Sequence, residues 1–130
     1  MLNGRATSPV PANHVVPAVG YQLDSGAASL VFSGDTTTHD DFWRDVNKIK
    51  NLKYLIIETA FPKAEKNLAR LSKHLCPSML AEELQKLQHK AEIYITHLKP
   101  GAGDETMCEI AECVRDLNPK MLQIGQVFEF

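Results

Sequence analysis

Apolar runs of strand length recur along the chain and are separated by turn-forming residues. Several of the runs are rich in β-branched and aromatic residues, which favour strands. The first two are joined by the turn sequence Asp24-Ser25-Gly26, which predicts a hairpin. The predicted strands are residues 19–23, 29–32, 52–57, 93–95 and 121–124, with 127–128 as an extension of the last.

Four other segments carry apolar residues at helical spacing, which predicts helices that pack one face inward. Thr38 and Asp41 resemble a capping pair at the start of the first helix, and Pro77 suits the first turn of the third. The four stripes are Phe42/Val46/Ile49, Ala64/Leu68/Leu71, Leu80/Leu84/Leu87 and Met107/Ile110/Ala111/Val114/Leu117.

The recurrent order of strand, polar loop and helix predicts an α/β sandwich whose polar residues gather at one set of strand ends. Three prolines, Pro9, Pro11 and Pro17, discourage regular structure before the first strand. We therefore predict an irregular leading segment over residues 1–12 and a domain over residues 13–130.

Composition narrows the class of protein. With 130 residues, 44% of them hydrophobic, and a net charge of −2, the chain is expected to be one soluble globular unit. The 14 Lys and Arg are scattered among 16 acidic residues, so we expect a small substrate and no long nucleic acid. No run approaches the roughly 20 apolar residues that cross a bilayer, so no membrane partner is expected. The cellular compartment stays open between cytoplasm and periplasm.

Three residues that can bind metals occupy comparable places in the pattern. His14 lies just before a predicted strand, whereas Asp35 and His97 each follow one. Imidazole nitrogens and carboxylate oxygens suit zinc and related divalent ions. Each residue alone is more often an ordinary loop residue, so the surrounding motifs must decide.

Four segments together carry a family resemblance. They are NHVVPAVGY (13–21), VFSGDT (31–36), LIIETAFP (55–62) and ITHLKPG (95–101). In this order they resemble the class II 3',5'-cyclic-nucleotide phosphodiesterases of the metallo-β-lactamase superfamily. The resemblance covers nearly all of residues 13–130 and implies an α/β fold, a metallo-β-lactamase-like αββα sandwich of which this chain is the carboxy-terminal half.

The resemblance also implies an activity, the metal-dependent hydrolysis of cyclic AMP to the 5'-monophosphate, with cyclic GMP as a second candidate substrate. His14 would bind one ion, Asp35 would bridge two and His97 would bind the second, with a metal-activated hydroxide attacking phosphorus. Two divalent ions, zinc being the expected metal, would be bound in the complete enzyme.

Three further residues would serve the substrate. The resemblance gives Glu58 and His74 the role of protonating the leaving 3' oxygen, because carboxylate pairing favours a protonated imidazole. Lys99 would neutralise the cyclic phosphate as a point charge. Glu58 as a capping residue, His74 as a surface residue and Lys99 as a solvated lysine are the ordinary alternatives.

One hallmark of the superfamily is absent from the sequence, the HxHxDH cluster that contributes most metal ligands. The resemblance therefore implies a half sandwich that retains three ligand positions. Such a half would leave a sheet edge and an apolar face uncovered. We expect self-association, or complementation by the absent amino-terminal half.

Two other functions remain open at this point. A tRNA 3'-end ribonuclease shares the order Asp, Glu, His, His, but a basic surface for RNA would be expected of it. A non-catalytic interaction remnant would explain the absent HxHxDH cluster, and the metal content of the protein would distinguish it from an enzyme.

Overall fold

A mixed six-stranded sheet organises the chain, all of which (residues 1–130) is described by a computed structural model. The strands are β1 (Ala6–Pro11), β2 (Val19–Asp24), β3 (Ser29–Phe32), β4 (Leu52–Glu58), β5 (Glu92–Thr96) and β6 (Lys120–Met121). The helices are α1 (Asp40–Val46), α2 (Lys66–Ser72), α3 (Pro77–Leu84) and α4 (Gly103–Cys113), and a 3-10 turn, Lys63–Glu65, precedes α2. None of these helices has the length and apolar character that crossing a bilayer requires.

The order of strands in the sheet follows the order in the chain. β2 and β3 form the predicted hairpin, with Leu23 opposite Leu30, and β1 is antiparallel to β2. β3, β4, β5 and β6 are parallel to one another. Consequently β1, β3, β4 and β5 all end at the same edge of the sheet, and the loops that follow them meet there.

The two faces of the sheet have different coverings. All four helices pack on one face, where a core of 21 buried residues joins strand residues such as Leu55 and Ile57 to helix residues such as Phe42 and Leu80. The opposite face has a cluster of only three buried residues, Leu30, Ile56 and Tyr94, covered in part by the carboxy-terminal segment. The α/β architecture, one sheet with one helical layer, is as predicted.

The expectation that residues 1–12 are irregular was wrong for Ala6–Pro11, which form β1. Pro9 and Pro11 pair with Tyr21 and Val19 of β2. β1 is the edge strand of the sheet, where a missing N–H donor breaks no central ladder. Val10, between the two prolines, is buried in the main core and anchors the strand.

Three details of the predicted elements were also wrong. The stripe Ala64/Leu68/Leu71 does not face inward: Leu68 and Leu71 are exposed, and Ala69 is the buried residue of α2. Thr38 does not cap α1, whose first flanking residue is His39, without a side-chain cap. The last strand is the short Lys120–Met121 rather than 121–124, and 127–128 are not strand.

Candidate metal centre

Four side chains with metal-binding groups converge at the edge of the sheet where the parallel strands end. His14 follows β1, Asp35 follows β3, His97 follows β5, and His74 lies between α2 and α3. One ligand atom from each of Asp35, His74 and His97 can be chosen so that all lie within 4.8 Å of one another. The structure thus brings together the three predicted ligands and adds His74 to them.

Asp35 lies at the middle of this group. Its Oδ2 is 4.0 Å from Nε2 of His14, and its Oδ1 is 4.0 Å from Nε2 of His97. The two oxygens of one carboxylate therefore face two different imidazoles. The His74 ring completes the cluster, with its centroid 4.9 Å from that of His14 and 5.0 Å from that of His97.

A backbone carbonyl orients His14. The distance from Nδ1 of His14 to the carbonyl oxygen of Lys73 is 3.1 Å, and a carbonyl can only accept, so Nδ1 carries the proton. In the neutral ring Nε2 then keeps its lone pair, and this is the nitrogen that faces Asp35. A donor bond at the other ring nitrogen is what metal-binding histidines normally make.

Glu58 orients His74 in the same manner. It is the last residue of β4 and is fully buried, with Oε1 2.6 Å from Nδ1 of His74. The backbone N–H groups of Thr36, Ala60 and Leu75 donate to the same carboxylate. When Nδ1 carries the proton, His74 donates to Glu58 and Nε2 is left as a ligand atom.

Burial sets the protonation of this pair. It raises the pKa of Glu58 to about 7, although N–H donors from Thr36 and Leu75 act in the opposite direction. Burial also lowers the pKa of His74, and the neighbouring His14 lowers it further. Both pKa values are thus shifted towards the neutral forms of the two groups, which is contrary to the expectation that the carboxylate favours a protonated imidazole.

The backbone around the cluster includes positions that tolerate few residue types. A Cβ on Gly20 would lie 2.7 Å from the carbonyl oxygen of Ser33, so only glycine lets β2 approach the end of β3 this closely. Gly34 has φ +63°, which turns the chain just before Asp35. His97 itself has φ 65°, an uncommon conformation for a non-glycine residue that is often found at functional sites.

Lys99 lies beside the cluster but outside the donor set. Its ammonium group is 4.7 Å from the centre of the Phe61 ring, and Phe61 in turn lies edge-on to His74 with centroids 5.8 Å apart.

The two remaining histidines lie outside the cluster: His39 donates its backbone N–H to Glu83, and the ring of His89 bonds to the carbonyl of Asn47.

Two contributions were not predicted from the sequence. His74 was expected near the leaving group of a substrate, and its place among the donor atoms depends on how the α2–α3 junction folds back over β4. The carbonyl of Lys73 and the N–H of Thr36 act through the backbone, so no side-chain pattern could reveal them. The alternative reading of His74 as a surface residue is excluded by its burial.

No protein-family model matches the chain, and no curated protein sequence matches it either. Solved structures do match. The metallo-β-lactamase fold protein YhfI from Bacillus subtilis aligns with 99% of this chain, at 18% identity and a TM-score of 0.80. The chain has a metallo-β-lactamase fold.

Two further structures share this fold. Unliganded yeast PDE1 aligns with 93% of the chain, at 19% identity and a TM-score of 0.68, and the short form of human tRNase Z aligns with 74%, at 18% identity and a TM-score of 0.61. The chain spans 51% of the length of YhfI, 44% of PDE1 and 36% of tRNase Z. At these identities the matches establish the metallo-β-lactamase fold and leave the reaction to the residues of the site.

Proposed function

We propose that this chain belongs to a metal-dependent hydrolase that cleaves phosphodiesters, with cyclic AMP, and also cyclic GMP, as the substrates to test first. The observation that carries the proposal is the cluster of His14, Asp35, His74 and His97, whose members come from four separate loops. Three of the four sequence motifs that resemble cyclic-nucleotide phosphodiesterases contain His14, Asp35 and His97, and the fourth contains Glu58, which bonds to His74.

The donor set fits divalent ions. Three imidazoles and one carboxylate are a set that zinc and related metals prefer, and catalytic zinc commonly has three protein ligands. Both His14 and His74 make the second bond, to a carbonyl and a carboxylate, that directs the other nitrogen towards a metal. Asp35 has an oxygen facing each of two histidines, which supports the proposal that it bridges two ions.

When bound, divalent ions supply an activated water and offset negative charge on phosphoryl oxygens. The residues of this chain would do the rest. Lys99, held over Phe61, would attract the anionic phosphate to the edge of the sheet. A mostly apolar groove of about 700 Å³ runs past His14, lined by residues 12–19 and Tyr21, and offers a surface for the nucleobase.

Glu58 and His74 have two proposed roles that can be separated. As a proton-donating pair they would serve the leaving 3' oxygen, whereas as a ligand and its positioning residue they would hold a metal. The geometry favours the second role, since His74 contributes to the donor cluster. His74→Gln should then abolish metal binding as well as turnover, whereas a pure proton donor would affect turnover alone.

The ribonuclease alternative also has an observation in its favour, three cationic residues on α2 beside the cluster. A precursor tRNA therefore belongs in the substrate panel. The remaining alternative, a non-catalytic remnant, predicts that the chain binds no metal tightly.

The test measures zinc content, zinc affinity and hydrolysis together. Cyclic AMP, cyclic GMP, bis(p-nitrophenyl) phosphate and a precursor tRNA would each be incubated with the chain plus zinc or manganese. His97→Ala is the inactivating variant and His39→Ala the matched control. We expect zinc-dependent release of monophosphate that His97→Ala abolishes and His39→Ala leaves intact. Zinc binding that is absent, or unaffected by His97→Ala, would refute the proposed metal centre.

A further inference from the structure

A second group of charged residues lies outside the candidate metal centre, along α2 and its carboxyl end. Lys66 and Arg70 are four residues apart, which puts them on one side of the helix, and Lys73 is the residue with left-handed backbone that follows α2. Together with Thr37, Met79 and Glu82 they line a cleft of about 370 Å³.

The cations of this cleft have no carboxylate partner. None of the three lies within 4.0 Å of an acidic side chain, whereas Lys86, just after α3, is paired with both Asp40 and Glu83. Three cations and the single carboxylate of Glu82 give the lining a formal charge of 3 − 1 = +2. Like charges four residues apart, as at Lys66 and Arg70, repel one another unless an anion lies between them.

This cleft adjoins the candidate metal centre directly. Nδ1 of His14 donates to the carbonyl of Lys73 at 3.1 Å, while Nε2 of the same ring is 4.0 Å from Asp35. The His14 ring, a member of the metal-binding cluster, therefore contacts the backbone of a cleft residue directly. Thr37, on the other wall, follows Asp35 by two residues.

We propose that this cleft binds a phosphate group other than the one at the metal centre, and that among phosphodiesters the site therefore favours a nucleotide with a second phosphate over a cyclic mononucleotide. The guanidinium of Arg70 can bind phosphate oxygens bidentately, and Lys66 and Lys73 act as point charges. The net charge of −2 for the whole chain disfavours a long polyanion. The identity of the substrate rests on the proposed function, but phosphate binding in the cleft does not.

In the binding test, the metal-free protein is titrated with pyrophosphate and the backbone amides are monitored by NMR. The pH is kept above the ordinary histidine pKa of about 6.5. Pyrophosphate should shift the amides of Lys66, Arg70 and Lys73, and Lys66→Gln/Arg70→Gln should weaken binding about tenfold or more. Lys50→Gln/Lys90→Gln removes the same charge from exposed sites elsewhere. Equal weakening by both double variants, or shifts confined to other residues, would overturn the proposal.

The substrate test compares cyclic AMP with the 5'-phosphorylated dinucleotide pApA under zinc. The α2 double variant should raise KM for pApA about tenfold and leave that for cyclic AMP unchanged. An equal rise in KM for both substrates would identify a separate anion as the ligand of the cleft and refute the second-phosphate assignment. If neither nucleotide is hydrolysed while pyrophosphate still binds the cleft, the proposed function fails and the phosphate site stands.

Discussion

Two neighbouring isoleucines of β4 show how differently the two faces of the sheet are built. Ile57 points to the helix-covered face and is 1% exposed, within a core of 21 buried residues. Ile56 points to the opposite face and is 8% exposed, in a cluster of only three buried residues. The helix-covered face is completed by this chain, whereas the opposite face has only its carboxy-terminal segment as a cover.

The carboxy-terminal segment covers the centre of that opposite face and leaves its β1–β2 side open. Phe128 packs edge-on against Tyr54 and Tyr94, with ring centroids 4.9 and 5.0 Å away. On β2 and β3, however, Tyr21 and Phe32 lie opposite each other and are 46% and 40% exposed. These two side chains form an uncovered aromatic pair on this side of the sheet.

The candidate metal centre depends on the helix-covered side. Glu58, which orients His74, accepts hydrogen bonds from the backbone of Leu75 and Ala60, and Ala60 donates to the carbonyl of Leu75 as well. Leu75 is 1% exposed and belongs to the main core. Losing packing on the helix-covered face should therefore disturb the metal centre, whereas changes on the opposite face should not.

The largest effect is expected from Ile57→Ala, which should lower the free energy of unfolding by about 2–5 kcal/mol because a cavity forms in a closed core. Ile56→Ala removes the same atoms from the partly covered face, where water can enter. Its cost should be clearly smaller, about 1–2 kcal/mol. Urea denaturation of both variants gives the comparison, and equal losses would show that the two faces are equally well packed.

A buried carboxylate on the helical layer provides the next test. Glu83 is 2% exposed and accepts hydrogen bonds from the Trp43 indole, the His39 backbone and Lys86. Glu83→Leu should lower the free energy of unfolding by about 1–3 kcal/mol, because these buried donors lose their acceptor. Glu82→Leu, at the exposed neighbouring position, is the control; urea denaturation showing similar losses for both would contradict this account.

Zinc affinity should depend on Glu58, the buried carboxylate that orients His74. Glu58→Gln removes the carboxylate that orients the ring, and such a loss typically weakens metal binding about 10–100-fold. Isothermal titration with zinc measures the change in affinity. The exposed Glu65→Gln is the control and Phe32→Lys is the variant on the opposite face, and both should leave zinc affinity unchanged. An unchanged affinity in Glu58→Gln would mean that Glu58 has no part in positioning a ligand.

The smallest change in stability, but a visible change in association, is expected from Phe32→Lys. We expect copies of the chain to associate through the open side of the second face, and a charge at Phe32 should prevent this. Leu71→Lys, at an exposed apolar position of α2, is the matched control. Sedimentation velocity over a range of concentrations measures the association. The prediction is refuted if the unsubstituted chain is a monomer, or if Phe32→Lys and Leu71→Lys change its association equally.

Local sequence patterns predicted the strands well where each strand is a continuous apolar run. β2, β3, β4 and β5 all lie within a residue or two of their predicted bounds, because the run length and the flanking turn residues act locally. The same patterns failed at β1, where the prolines are tolerated only because the strand lies at an edge. They also failed at α2, where Ala69 belongs to the core and Leu68 and Leu71 are exposed.

Short-range patterns were enough to predict the order of β2 to β5 and their polar loops, and with it Asp35 and His97 directly after strands and His14 ahead of β2. Those positions follow from short-range patterns, so they could be predicted without coordinates. Only the tertiary structure brought His74 among the donor atoms, tied His14 to the carbonyl of Lys73 and left one face of the sheet half covered. These features depend on contacts between residues far apart in the chain, such as Glu58 and His74, which are 16 positions apart, and no local pattern encodes them.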